Sequence, residues 1–78
     1  MNNKTRQNIL HDINALFAGK IDRIHTDRKW FDVELKEDLE ITACDFPHLL
    51  TIAGGYNLTI NIYSMPSNQL GIFFKEAK

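Results

Sequence analysis

A change of hydrophobic period at Gly19 limits the fold more than any other feature of the chain. Before it, Ile9, Leu10, Ile13, Leu16 and Phe17 draw one stripe along a helix, because residues three and four apart share a face. After it, apolar residues recur at every second position. Phe31, Val33 and Leu35 alternate with Trp30, Asp32 and Glu34, and Leu39, Ile41 and Ala43 with Glu40 and Thr42. Leu58, Ile60 and Ile62 alternate with Thr59, Asn61 and Tyr63, and Leu70, Ile72 and Phe74 with Gly71, Phe73 and Lys75. A period of two sends alternate side chains to opposite faces of a strand. The sequence thus predicts an antiparallel sheet with one apolar face, and an amphipathic helix ahead of it to cover that face.

The breaks between these runs set the element order. Asn3 or Thr5 can cap the first helix, and Gly19 can take the left-handed conformation that ends it. Residues 21–26 read as a modest strand, with Asp27-Arg28-Lys29 and Lys36-Glu37-Asp38 as polar turns. Asp45 can cap a short helix over residues 46–53, with Pro47 in its first turn and Gly54-Gly55 as its stop. Residues 65–68 form the loop of a closing hairpin. The predicted order is α-β-β-β-α-β-β, an α+β domain with the N-terminal helix (1–19) packed on an antiparallel sheet (20–78). There is no internal sequence repeat and no linker, so 78 residues predict a single domain, 1–78.

Residues 33–50 carry a resemblance. Val33-Glu34-Leu35, a charged turn at Glu37-Asp38, Ile41, then Phe46-Pro47-His48-Leu49-Leu50, and later Gly71-Ile72-Phe73, follow in order. Together they resemble a bacterial family of short domains of unknown function, number 2442, over roughly residues 21–74. His48 stands where that family commonly has Arg, Phe73 in or near its Trp position, and Asp38-Leu39 where it often has a turn with Gly. The resemblance implies an α+β domain, sometimes attached to a helix-turn-helix or encoded beside a toxin-like partner. It implies no catalytic residue.

Charge narrows the function classes. Nine Lys/Arg against ten Asp/Glu leave a net −1, so no global field draws the chain to nucleic acid or an anionic membrane. The distribution is uneven: residues 1–30 carry a net +3 and residues 31–45 a net −5. Cys44 is alone, which excludes an intramolecular disulfide. The polar, Asn-rich first twenty residues do not read as a signal peptide, and no apolar run approaches the ~20 residues that span a bilayer. These features predict a cytoplasmic domain without a membrane segment.

The chemistry-bearing residues form no strong constellation. His11, His25 and His48 with Cys44 could suggest metal or nucleophilic chemistry, but the Cys44-x-x-x-His48 spacing lacks the further ligands or orienting group either would need. No catalytic residue, metal site or cofactor is expected. The interaction candidates are Trp30, on the polar phase of its strand, with Arg23, Arg28 and Lys29 nearby, and Tyr63 and Phe73 on the off-phase of the last hairpin. Arg23 is expected opposite Asp32, and Glu34 opposite Glu40.

The leading expectation is a non-catalytic protein–protein interaction or regulatory domain, an accessory or antitoxin-like bacterial protein. One alternative is a nucleic-acid-binding module using Arg23, Arg28, Lys29 and Trp30. Another is a small hydrolase or nuclease using His25, His48 and Cys44. A homodimer is expected through the nearly uncharged segment 70–74, taken as a sheet edge, with Phe73 and Tyr63 at the twofold axis. Phe46, if buried, would cost about 3–5 kcal/mol on truncation.

Overall fold

The structure, a computed structural model, describes residues 2–77. The chain runs α1 (Asn3–Leu16), β1 (Ile21–Thr26), β2 (Trp30–Leu35), α2 (Asp45–Tyr56), β3 (Leu58–Met65) and β4 (Gln69–Glu76). Its four strands form one antiparallel sheet in the order β1-β2-β4-β3. The protein is therefore α+β. Although the sequence has no repeat, its elements do: α-β-β occurs twice, each time as a helix, an outer strand and an inner strand.

Alternation along the strands decides what is buried. Phe31, Val33 and Leu35 of β2 share a face with Ile72 and Phe74 of β4 and Leu58 of β3, and all are buried. The same buried cluster takes in Ile9, Ile13 and Phe17 from the first helical stripe and Leu49, Ile52 and Ala53 from α2. Near β1 and β2, the Arg6 guanidinium lies 6.0 Å from the centre of the Phe31 ring, and its Nη2 donates to Thr26 Oγ1 at 3.2 Å. The helices also meet polar to polar, Tyr56 Oη donating to Asp12 Oδ2 at 2.8 Å. That bond raises the Tyr56 pKa above its ordinary value, with burial and the Asp12 charge acting the same way. No helix among the described residues is long and apolar enough to cross a membrane.

Helix ends follow local chemistry. Asn2, rather than Asn3 or Thr5, caps α1, its Oδ1 accepting from Thr5 N at 2.8 Å. Gly19 takes φ +74° just beyond the helix, the left-handed turn expected of it. At α2 the cap position belongs to Cys44, while the Asp45 carboxylate turns back to accept from Thr42 N (3.1 Å) and Thr42 Oγ1 (3.0 Å). Those two hydrogen bonds hold Asp45 below the usual carboxylate range.

Four expectations are corrected. Residues 39–43 form no strand, so the order is α-β-β-α-β-β. Asp38 takes φ +61° and donates its N–H to Asn68 O at 3.0 Å, which carries the chain past the tip of the β3–β4 hairpin. β2 is already bonded on both sides, by β1 and β4, and offers a returning strand no edge. Leu39 and Ile41 instead pack against the core, partly buried, from a loop. Second, α2 does not stop at Gly54-Gly55 but runs through both to Tyr56, and Asn57 ends it at φ 55°. Buried Ala53 and the anchored Tyr56 outweigh the poor helix propensity of the glycines. Third, β4 is an inner strand, so segment 70–74 is no edge and cannot pair with a second copy of itself. The sheet ends at β1 and β3. Phe46 is also not a core residue; it is 46% exposed.

Candidate functional site

The side chains that alternate away from the core make a second face, to which neither helix contributes a buried residue. Strand register arranges it in rows. His25, Asp32, Phe73 and Asn61 lie side by side across β1, β2, β4 and β3. Arg23, Glu34, Gly71 and Tyr63 form the neighbouring row. Trp30, Lys75 and Thr59 form a third.

The aromatic centre of this face is a diagonal pair. Trp30 and Phe73 stand with ring centroids 5.6 Å apart and planes tilted by 35°, within the range of favourable aromatic contacts. Both are half-buried. Tyr63 lies across Gly71, and its Oη donates to Asp32 Oδ1 at 2.5 Å. Only glycine fits beneath it: a Cβ at position 71 would fall inside the ring, against Cζ, Oη and Cε1. Burial, then the hydrogen bond to Asp32 and the charges of Asp32 and Glu34, push the Tyr63 hydroxyl up to about 12. The phenol stays protonated and fixes one Asp32 oxygen.

The rim is polar. Glu34 sits between two basic side chains of β1, with His25 Nε2 at 3.2 Å from Oε2 and Arg23 Nε at 3.7 Å from Oε1. With the Arg23 side chain 64% exposed, this pairing adds little stability and leaves Arg23 able to turn to another carboxylate. The register differs from the expected one: a bulge between Ile21 and Arg23 places Arg23 opposite Glu34 and His25 opposite Asp32. Glu34 meets no Glu40, because Glu40 is in the loop.

The sequence candidates divide. Trp30, Arg23, Tyr63 and Phe73 are brought together on the open face. Arg28 and Lys29 sit in the exposed β1–β2 turn at one end of it, where Arg28 N donates to Asp27 Oδ1. His25, Asp32, Glu34 and Gly71 belong to the site too and were not singled out for it. The signal for them was their shared strand phase with Trp30 and Phe73. The third group is scattered: Cys44 and His48 are exposed at the start of α2 and His11 is exposed on α1, whereas His25 belongs to the far side of the sheet.

Chemically, the face combines a tilted aromatic pair, a fixed carboxylate oxygen and exposed cations. It suits the recognition of an extended or flat partner surface. Comparison with protein-family models, with curated proteins and with solved structures returns no match.

Proposed function

We propose that the protein is a small non-catalytic interaction domain, regulatory or accessory in role, that binds a protein partner on the open face of its sheet. The observation that carries this reading is the Trp30–Phe73 pair on a face that the buried cluster leaves to solvent, with Tyr63 locked to Asp32 beside it. Aromatic residues that are half-buried, rigid and ringed by polar groups have the character of binding hot spots. Arg23, His25 and Glu34 supply the polar rim. The likeness of residues 21–74 to the family numbered 2442 is part of the same proposal and rests on sequence motifs alone, half-exposed Phe46 adding no core position to it. A bacterial cytoplasm, and an antitoxin-like or other accessory role there, fit that likeness and the single exposed Cys44.

A second reading, a nucleic-acid module, draws support from the same aromatic pair, since bases stack on sheet aromatics, and from Arg28 and Lys29 at the end of the face. Asp32 and Glu34 in the middle of the face oppose it by repelling phosphate.

Affinity capture with immobilised wild-type protein and with Trp30→Ala and Phe73→Ala variants tests the reading. A protein held by the wild type and lost by both variants, while both still melt cooperatively, is expected. A captured protein indifferent to both substitutions would overturn it, and retention on heparin that collapses with modest salt would favour nucleic acid.

A further inference from the structure

The two margins of the sheet are finished differently. β1 carries Asp22, Arg23 and His25 and is interrupted by a bulge, devices that keep an edge from pairing. β3 has none of them. Its eight residues, Leu58–Met65, contain no charge and no proline, and its register with β4 is unbroken.

The phase of this edge follows from one hydrogen bond. Ala77 N donates to Asn57 O at 3.1 Å, so Asn57 turns its backbone toward the strand direction of β4. In an antiparallel pair alternate residues do the same. Thr59, Asn61, Tyr63 and Met65 therefore face β4 with their amides and carbonyls, and Leu58, Ile60, Ile62 and Ser64 present theirs outward. Among the described residues, none of these outward groups has a hydrogen-bond partner outside the β3–β4 ladder.

We infer that β3 is a self-pairing edge, which joins the β3 of a second copy antiparallel and continues the two sheets into one of eight strands. The outward set is symmetric about Asn61. A twofold axis there opposes Leu58 to Ser64 and Ile60 to Ile62 of the other copy, which is the register that matches all four outward residues with all four of their mates. The pairing brings no like charges together, because the strand has none. It also places Ile60 and Ile62, only partly buried in one copy, against each other across the axis. α2 packs on β3, and it carries the large exposed hydrophobic side chains of the described chain, Phe46 at 46% and Leu50 at 57% exposure. A second copy, rather than a foreign strand, is favoured by this match of the edge to itself.

Asn61 provides the test because it is exposed and its side chain lies on the solvent face, so charging it leaves the monomer intact. Wild-type protein followed by sedimentation velocity at rising concentration should show a dimer. Asn61→Asp and Asn61→Lys each set two like charges face to face at the axis and should weaken it about fivefold. Mixed together, the two variants should form heterodimer well above the statistical half of all dimers in native mass spectrometry. A wild-type monomer at hundreds of micromolar would leave the edge to the strand of another protein and overturn the inference. So would a dimer unmoved by either variant, or one weakened by both and not rescued by mixing. A dimer lost in Phe73→Glu but kept in both Asn61 variants would move the contact to the open face, with the same consequence.

Discussion

The first α-β-β half, α1-β1-β2, and the second, α2-β3-β4, have one plan and different finishes. Each gives the sheet an outer and an inner strand, and the inner strands meet, Phe31 facing Phe74 and Val33 facing Ile72. In the first half four residues, 17–20, separate helix from strand, and the outer strand is short, charged and bulged. In the second, Asn57 alone joins helix to strand, and the outer strand is longer, uncharged and regular. The difference teaches that topology settles where an edge lies, while side-chain chemistry settles whether it repels or receives another strand.

The largest test asks whether the halves share one core. Phe31→Ala and Phe74→Ala should each cost about 3–5 kcal/mol, since both side chains are fully buried at the junction. Denaturant melts of either variant should keep a single transition; two transitions would show that the halves fold separately. Next is Gly71→Ala, where the new Cβ meets the Tyr63 ring and should cost about 1–3 kcal/mol. Most of that loss should vanish when Tyr63 is already alanine, because the clash then has no second party.

Tyr63→Phe should cost about 1 kcal/mol by removing the bond to Asp32. The pH dependence sharpens it. The folded pKa lies near 12 against an ordinary 10, so this contribution is complete below pH 10 and is lost as pH climbs toward 12. Urea melts across that interval should show a steeper fall for wild type than for Tyr63→Phe. In α2, Gly54→Ala and Gly55→Ala should each raise stability by about 0.5–1 kcal/mol, for each glycine has room for a Cβ and an ordinary φ. The smallest effect is Phe46→Ala, about 0.5 kcal/mol or less in the monomer, which thermal melts at low protein concentration can measure.

Much of this was legible in the chain. The Ile9–Phe17 stripe and the alternations at 30–35, 58–63 and 70–74 each reported a buried side correctly, because periodicity records which side chains leave water. It does not record hydrogen bonding. Leu39 and Ile41 alternate because a loop lying on the core buries every second residue as a strand does, and only the occupied edges of β2 exclude the strand. Gly54 and Gly55 read as a stop because local propensity cannot see Tyr56 reaching Asp12. On the open face, Trp30 and Phe73 announced themselves by phase. Their meeting did not, since it depends on β2 pairing with β4, and neither did the need for glycine under Tyr63.

The junction between β2 and β4 also bears on how the chain finds its fold. Every other strand pair is a hairpin closed by three residues, a local event that costs little loop entropy. The β2–β4 ladder instead unites residues 37 to 45 positions apart, from Glu34–Gly71 to Trp30–Lys75, so it forms only after both hairpins have something to offer it. Folding speed should therefore follow the apolar strength of that ladder. Amides of Val33 and Ile72 should exchange with solvent only when the whole molecule opens, while those of the β1–β2 turn exchange through local fraying.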